Sequence, residues 1–466
     1  MKKILLTLMV AISFTIAKGA PKNLTETERV AANFITQITR DCGTPNLVYT
    51  AKTADKGMDC FRIYNINNGF IIVSADDRIR PILGYSTEST FDPQNIPDNV
   101  QSLLNSYIDE ITAVYHHVAA DDTTMRAEWQ ILENGLPQHR QSDRSVSELL
   151  TDNNWQQNNG YNYYCPADNS GPAGHCYVGC CALSMGQVMH YWQHPSQGIG
   201  SHSYECNHST WGSGQYGDYG TLSANFEATT YNYAMMPNNL NSSTPSNQIL
   251  AIAKLLYHCG IAIEIWYGSA GTMGFHDDIG AALETYFKYD ETLTVWKNNY
   301  NGDWDDLLRS DLDLGRPIIY CAYANEGGHE FVCDGYDNNN CFHFNMGWGG
   351  YYNGYYATGN LNAQYNFNSS HGAVMHIHPI EQTPDAIEDK DFNITIGPNP
   401  TQDWLYIEGE NIHEIALYDM MGRELIRRPC LSQTVHEINL SNYATGTYLL
   451  QLRRGGETHI RKIIKQ

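Results

Sequence analysis

Three cysteines fall within the segment GHCYVGCCALSMGQVMHYW, which covers positions 174–192. Cys180 and Cys181 begin a run whose apolar residues recur at helical spacing, and Gly179 allows a sharp turn just before it. A helix N-terminus favours the thiolate, because the helix macrodipole stabilises negative charge there. Since the thiolate is the reactive form of cysteine, this segment could supply a nucleophile. The alternative is that these cysteines pack in a core, as cysteines often do.

A nucleophilic thiol needs a base, a group that orients the base, and hydrogen-bond donors for the oxyanion. The candidate base is His329 in NEGGHEFVCDGY, where glycines leave space in front of the imidazole and a strand-like run follows. Asn345, in FHFNMGWGGYYNGYY, lies on the next predicted strand and could orient that imidazole. Gln157, in NNWQQNNGYNYYCP, could supply a side-chain amide to act with the backbone N–H of Cys180.

The same region allows a second interpretation, as a metal site. The spacing C-x3-C-x9-H-x3-H, formed by Cys176, Cys180, His190 and His194, is close to a structural zinc pattern, although the loop is shorter than usual. Stoichiometric zinc in pure protein would favour this alternative.

Other polar and thiol side chains of the region are expected to be structural. We interpret Gln187, inside the helix, as a buried hydrogen-bonding residue, and His343 as a packing or hydrogen-bonding residue. The cysteines of the strand-like runs are expected in the core: Cys321, Cys333 and Cys341.

The elements that must position these residues form an α+β arrangement. A helix is expected over 180–193, followed by the strand-like runs PIIYCAYA and HEFVCDGY. Farther upstream, FRIYNINNGFIIVSADD alternates around Asn67-Asn68-Gly69 and predicts a hairpin. The run DNVQSLLNSYIDEITAVYHHV predicts a helix with one apolar face.

The chain divides into five predicted segments. Residues 1–19 read as a secretory signal peptide, because Lys2 and Lys3 precede an apolar run that is too short to span a bilayer. An N-terminal region (20–142) and a central region (143–380) follow. The acidic, unpatterned segment 381–391 is a predicted linker, and the C-terminal region (392–466) holds short alternating runs that predict a small β-sandwich.

Composition narrows the class of partner. The chain has 466 residues and a formal net charge of −23, which argues against nucleic acid and anionic membranes. Twelve cysteines in a secreted chain suggest disulfides, for example Cys42 with Cys60 and Cys165 with Cys176, but the connectivity stays open. No apolar run after the signal peptide is long enough for a transmembrane segment.

Four motifs in order resemble the streptopain family of secreted cysteine peptidases: WQQNNGYNYYCP, GCCALSMGQVMHYW, GGHEFVCDGY and HFNMGWGG. The resemblance implies a papain-like, two-lobed catalytic domain that needs no cofactor and cleaves proteins. It makes Cys180 the nucleophile, His329 the general base and acid, Gln157 the oxyanion donor and Asn345 the orienting group, with Gly179 and Trp348 in support. Cys181 stands where the family commonly has Val, so it is expected to be a packing residue.

One position departs from the family pattern. The residue after Asn345 is Met346, where the family usually has a Trp that covers the imidazole, and Trp348 lies two positions farther on. The resemblance therefore leaves two alternatives: a secreted cysteine endopeptidase, or a weak or inactive homologue that acts as a surface adhesin.

The flanking regions carry resemblances of their own. GFIIVSADDRIRPILGYS is similar to the α+β pro-domains that keep these peptidases latent, which implies a zymogen with its own intramolecular inhibitor. The polar stretch QHRQSDRSV has no periodicity and predicts an exposed linker, so cleavage is expected near Gln138–Val146. The C-terminal region resembles the sorting domain read by the type IX secretion machinery, which implies a protein secreted or attached at the outer-membrane surface.

Overall fold

The computed structural model describes residues 21–116, 123–136, 145–211, 215–324, 327–359, 361, 370–380, 387–389, 394–409, 411–419, 423–430, 434–454 and 457–465. The predicted signal peptide, most of the predicted cleavage region and most of the predicted linker lie outside these residues. By contacts the chain forms two compact units, Met1–Pro379 and Ile380–Gln466.

In its described residues, the N-terminal region has four antiparallel strands and three helices. Its elements are α1 (Leu24–Thr39), β1 (Asn46–Lys52), β2 (Asp59–Ile66), β3 (Gly69–Ser74), β4 (Ile82–Ser86), α2 (Asp98–His116) and α3 (Thr123–Glu133). The predicted hairpin is present, since β2 and β3 pair up to Ile66 and Gly69, and Asn67 takes the positive φ of 53° that such a turn requires. The predicted apolar face of α2 is buried against the sheet.

The part of the central region that the structure describes has four α-helices and eight strands. They are α4 (Cys180–Trp192), β5 (Ser201–Asn207), β6 (Asp218–Asn225), α5 (Ser246–Ala262), α6 (His276–Phe287), β7 (Leu293–Trp296), α7 (Trp304–Leu312), β8 (Ile318–Ala324), β9 (Gly327–Tyr336), β10 (Phe342–Asn345), β11 (Gly354–Tyr356) and β12 (Ser370–Met375). The predicted helix 180–193 and both predicted strands are therefore present.

One antiparallel ten-stranded sheet runs through both regions in the order β1-β2-β3-β4-β11-β10-β9-β8-β12-β7. The N-terminal strands join the central ones through β4 and β11, where Tyr85 faces Tyr355 and Gly84 faces Tyr356. The two tyrosine rings stack with their centroids 5.1 Å apart. The sheet therefore makes the N-terminal region a structural continuation of the central one.

Two hydrophobic cores divide the central region into the two predicted lobes. One core surrounds α4, α5 and α6, and the other lies between α2, α7 and the sheet. Helix α4 packs against α5 and against β9 of the sheet. Its N-terminus therefore lies where the helical lobe meets the strand that carries His329.

The second unit is an all-β sandwich, as its alternating runs predict. Its strands are β13 (Ile387–Asp389), β14 (Ile394–Gly397), β15 (Trp404–Gly409), β16 (Glu414–Asp419), β17 (Glu424–Pro429), β18 (Val435–Asn439), β19 (Gly446–Arg454) and β20 (Glu457–Lys465). They form two four-stranded sheets, β13-β14-β15-β18 and β17-β16-β19-β20, around one apolar core.

All twelve cysteines are free thiols in the structure, so the suggested pairs Cys42–Cys60 and Cys165–Cys176 are not formed. Most of them are buried, including Cys321, Cys333 and Cys341, which lie in the core as predicted. Among the described residues, no helix is long and apolar enough to cross a membrane.

Candidate active site

Cys180 is the first residue of α4, and a glycine fixes the turn that places it there. Gly179 has a φ of +90°, and a Cβ at this position would lie 2.6 Å from Ile265 Cδ1 and 2.9 Å from Thr272 Cγ2. Because Gly179 has no side chain, the helix also lacks a side-chain N-cap. The first backbone N–H groups of α4 therefore remain available to stabilise an anion at this end of the helix.

The Cys180 thiol is an acidic one. Its pKa lies well below the ordinary value, first because of a hydrogen bond with Cys181 and then because of the hydrogen bond and positive charge of His329. The backbone N–H of Glu330 contributes in the same direction, and these effects outweigh partial burial. The predicted nucleophile and the predicted base therefore interact, and the interaction favours the thiolate form of Cys180.

His329 is held by the antiparallel pair of β8 and β9, in which it faces Ala322. Helix α4 packs against β9, so the imidazole of His329 and the N-terminus of α4 belong to two separate elements. The placement of His329 is therefore a property of the sheet, and that of Cys180 a property of the helix.

Cys181 is buried, as predicted for a packing residue, but it also contacts the nucleophile. Its Sγ lies in the helical core beside Gly274, where an added Cβ would be 2.9 Å away. The pKa of Cys181 is raised, first by its hydrogen bond to Cys180 and then by burial. The raised pKa favours the protonated form of Cys181 beside Cys180, an interaction that its position in the sequence did not indicate.

A buried ion pair lies directly behind the thiol. Glu330 Oε2 is 3.0 Å from His276 Nδ1, and both side chains are almost completely buried. Burial raises the pKa of Glu330. Burial alone would lower the pKa of His276, but the charge and hydrogen bond of Glu330 raise it. Sequence reasoning missed this pair, although a glutamate inside the apolar strand HEFVCDGY is a signal that a partner must exist.

Gln157 is buried beside the nucleophile segment. Its backbone carbonyl accepts a hydrogen bond of 3.1 Å from the N–H of Val178, two residues before Cys180. Trp155, two residues before Gln157, is fully buried and donates from Nε1 to the Pro237 carbonyl at 2.9 Å. These contacts fix the Gln157 segment against the turn that precedes α4.

Asn345, at the end of β10, belongs to a buried network of hydrogen-bonded amides. Its Nδ2 donates to the Asn153 carbonyl at 2.7 Å, and its Oδ1 accepts from Gln187 Nε2 at 3.0 Å and from the Gly347 N–H at 3.1 Å. Gln187 is thus a buried hydrogen-bonding residue, as predicted. The orientation of His329 by Asn345 stays a prediction.

The Met346–Trp348 loop is held by a residue of the N-terminal region. Asn99 on α2 donates from Nδ2 to the Met346 carbonyl at 2.9 Å and accepts from Trp348 Nε1 at 2.9 Å. Gly347, between them, packs so closely on Leu183 of α4 that an added Cβ would lie 2.8 Å from Leu183 Cδ2. A single asparagine of the N-terminal region therefore restrains the loop that follows Asn345.

The zinc pattern proposed for Cys176, Cys180, His190 and His194 is not assembled. His190 contacts Asn153 and the Met236 carbonyl through its two ring nitrogens, and His194 Nε2 lies 3.0 Å from the Lys288 carbonyl. Among the described residues, neither cluster of potential metal ligands includes any of these four.

Comparison with known families matches three successive parts of the chain. Residues 20–111 match the Spi protease inhibitor family, residues 155–356 match the peptidase C10 family, and residues 395–466 match the secretion system C-terminal sorting domain.

Two curated proteins and one solved proform are similar to this chain. The thiol protease/hemagglutinin PrtT of Porphyromonas gingivalis is 27% identical over 376 residues, which are 78% of this chain but 42% of that protein. Streptopain of Streptococcus pyogenes is 27% identical over 338 residues, which are 68% of this chain and 80% of streptopain. A fragment of Prevotella intermedia prointerpain A, solved as a mutant, is 26% identical, with a TM-score of 0.57 over 72% of this chain and 99% of the fragment.

Proposed function

Because this chain belongs to the peptidase C10 family, we propose that it is a secreted cysteine endopeptidase, made as a latent zymogen, that hydrolyses peptide bonds of proteins through Cys180 and His329. The observation that carries the proposal is the Cys180 thiol at the N-terminus of α4, whose pKa is lowered by hydrogen bonds and by the adjacent His329. The matches to an inhibitor family and to thiol proteases support the zymogen and the reaction class.

In the proposed reaction, the Cys180 thiolate attacks the carbonyl carbon of the scissile peptide bond. The backbone N–H of Cys180 and the side-chain amide of Gln157 donate to the resulting oxyanion. The protonated His329 then gives its proton to the leaving amine, and a thioester to Cys180 remains. His329 next takes a proton from water, the hydroxide attacks the thioester, and the carboxylic product leaves as the Cys180 thiolate is restored.

A labelling experiment tests the thiol chemistry. The processed protein is treated briefly with limiting iodoacetamide, and fragmentation of its peptides distinguishes Cys180 from Cys181. We expect fast labelling confined to Cys180 and strongly slowed in a His329→Ala variant, because the imidazole stabilises the thiolate. Slow labelling spread over Cys176, Cys180 and Cys181 would contradict the proposal.

The alternative, an inactive homologue that acts as an adhesin, predicts a different result with a protein substrate. If the chain is a peptidase, an unfolded protein is degraded by the processed form and is left intact by a Cys180→Ala variant. If neither the processed form nor the Cys180→Ala variant degrades the protein, the adhesin alternative is favoured.

We further propose that the N-terminal region is the pro-domain and acts through the Met346–Trp348 loop. The contacts of Asn99 with Met346 and Trp348 support this role, as does the continuous sheet through β4 and β11. An Asn99→Ala variant should therefore process itself faster than the wild type, by several-fold in a time course followed by gel electrophoresis. Asn105→Ala, on the same helix but bonded to Gln101, is the matched control and should process at the wild-type rate.

The C-terminal region supports the proposal that this protein is exported from the cell. Its match to the secretion sorting domain is consistent with a protein that the type IX machinery secretes or attaches to the cell surface. We propose that the predicted signal peptide first directs the chain across the inner membrane.

A further inference from the structure

A second group of polar side chains lies where the pro-domain meets the catalytic domain, and the proposed reaction does not use it. The group consists of His343 on β10, Asp334 on β9, Glu148 near the start of the catalytic domain and Glu88 in the pro-domain loop after β4; we call it the interdomain cluster. Ligand atoms of Glu88, Glu148 and His343 lie within 4.8 Å of one another.

The imidazole of this cluster is fixed from one side. His343 is 3% exposed, and its Nδ1 lies 2.6 Å from Oδ1 of the fully buried Asp334. The other Asp334 oxygen accepts the N–H of Leu150 at 2.9 Å, so the carboxylate itself cannot rotate freely. The Tyr355 ring packs edge-on against the imidazole at 5.1 Å. These contacts occupy Nδ1 and leave Nε2 as the ring nitrogen available to a ligand that the two glutamates would share.

That nitrogen is buried without a partner. Among the residues that the structure describes, none forms a hydrogen bond with His343 Nε2. A buried polar atom of this kind normally bonds to protein, to water or to an ion. Its position next to two carboxylates therefore indicates a ligand that both a nitrogen and oxygens can bind.

Of the two glutamates, Glu148 is held through its carboxylate, whereas Glu88 is exposed and is held at its backbone. Tyr355 donates its hydroxyl to Glu148 Oε1 at 2.6 Å. The Glu88 N–H bonds to Ser86 Oγ at 3.2 Å, and Ser86 Oγ in turn donates to the Asn353 carbonyl of the catalytic domain at 2.6 Å. Within the described parts of the chain, no lysine or arginine forms an ion pair with the three carboxylates, so the cluster has an excess of negative charge.

The donor set selects among cations. A histidine whose second nitrogen is held by a carboxylate is the usual arrangement of a metal-bound imidazole. Zinc accepts imidazole and carboxylate ligands and can complete its coordination with water, whereas calcium and magnesium prefer oxygen ligands alone. We propose that His343, Glu148 and Glu88 form a Zn²⁺ site, with Asp334 orienting the imidazole, and that the ion joins the pro-domain to the catalytic domain.

The placement of the ligands gives the ion a role in latency. Cleavage in the region 138–146 would leave Glu88 with the pro-domain, while Glu148 and His343 would stay with the catalytic domain. A bound zinc ion therefore stabilises the docked pro-domain, and its removal favours release. This consequence rests on the proposed zymogen, but zinc binding itself does not depend on peptidase activity.

Zinc binding is tested on the full-length chain carrying Cys180→Ala, which cannot process itself. Titration calorimetry with Zn²⁺ should give one site per chain. Glu88→Gln and Glu148→Gln should each weaken binding at least about tenfold, the range found when metal-site partners are lost. Glu28→Gln, on α1 of the pro-domain, is the matched control and should bind as the parent does. Circular dichroism verifies that each variant is folded.

Substitution by Co²⁺ identifies the ligand type. The interdomain cluster contains no sulfur, so its Co²⁺ complex should lack the absorption of a cobalt–thiolate bond. A thiolate band would assign the ion to the buried cluster of His276, Cys321 and Glu330 and would overturn the proposal. The proposal is also overturned if the parent binds no zinc, or if Glu88→Gln binds it as tightly as the parent. Failure of the peptidase would instead appear in the Cys180 labelling experiment.

Discussion

Cys181 lies in the helical core, and its hydrogen bond with Cys180, the proposed nucleophile, is the largest cause of the lowered pKa of Cys180. A Cys181→Val substitution removes the donor and keeps an apolar side chain at the position. A lowered pKa keeps the Cys180 thiolate present at lower pH. Loss of the hydrogen bond should therefore raise the pH midpoint of Cys180 alkylation toward the ordinary pKa of a thiol. The rate of Cys180 alkylation as a function of pH, followed by mass spectrometry of the processed enzyme, measures this midpoint.

The control for this experiment is Cys259→Val in the same core. The Cys259 thiol donates to Met189 Sδ at 3.6 Å, so its replacement tests the effect of packing alone. If both variants shift the midpoint equally, or neither does, the hydrogen bond from Cys181 has no special effect on the nucleophile.

At the residue level, the sequence predicted the candidate reacting residues but not their surroundings. Cys180 and His329 were found from residue type, local glycines and motif order, which are properties of short segments. The Glu330–His276 pair depends on how α6 packs against the sheet, and no local pattern encodes that packing. The sequence showed that Met346 replaces the usual Trp, but it did not reveal the contact of Met346 with Asn99, because Asn99 lies in a distant segment.

The turn before α4 depends on a backbone conformation that only glycine adopts at low cost. Gly179→Ala would add the strain of a positive φ and a collision with Ile265 and Thr272. We expect it to lower the free energy of unfolding by about 2 kcal/mol or more and to slow Cys180 labelling strongly, because the helix N-terminus shifts. Denaturant unfolding and iodoacetamide labelling measure the two effects.

Gly174 provides the matched control for this turn. Its φ is +80°, but a Cβ there would meet no atom within 4 Å, so Gly174→Ala adds the backbone strain without the collision. It should lower stability by about 1 kcal/mol and leave Cys180 labelling unchanged. Equal labelling rates in both variants would mean that the position of the thiol does not depend on the space at Gly179.

The elements recovered from the sequence were those specified by local periodicity. The helices α2 and α4, the β2–β3 hairpin and the alternating strands of the C-terminal sandwich each repeat a pattern within one segment. The junction of β4 with β11 pairs segments that lie far apart along the chain, and its residues, such as Gly84 and Tyr356, carry no sign of their partners. The sequence therefore predicted two successive regions but not the continuous sheet that joins them.

Considered as a whole molecule, the proposed zymogen has a carboxyl group buried where the N-terminal region meets the central region. Glu110 on α2 is 2% exposed, and its Oε2 accepts the N–H of Leu361 at 3.3 Å. A Cβ at Gly359 would touch both its carboxylate and the Lys297 ammonium. Burial raises the pKa of Glu110 to about 7, against the charge of Lys297, while Asp305 and Asp109 add to the rise.

This pKa makes the stability of the docked state depend on pH. In the folded, docked state Glu110 keeps its proton up to about pH 7. In the unfolded chain the exposed Glu110 loses its proton near the ordinary pKa of 4.5. Between these values the unfolded state binds fewer protons, so stability falls as pH rises and becomes level above about pH 7. The fall attributable to this one group is roughly 3 kcal/mol.

Glu110→Gln should remove that part of the pH dependence, since the amide is neutral at every pH and has nearly the same shape. In the Cys180→Ala background, the variant should resist urea unfolding better than the parent at about pH 8 and should differ little from it at about pH 5. Glu28→Gln on α1 controls for the loss of a surface carboxylate. A parent whose urea midpoint stays constant over this pH interval would show that Lys297 already keeps the docked Glu110 ionised, and docking would then be insensitive to acid in this range.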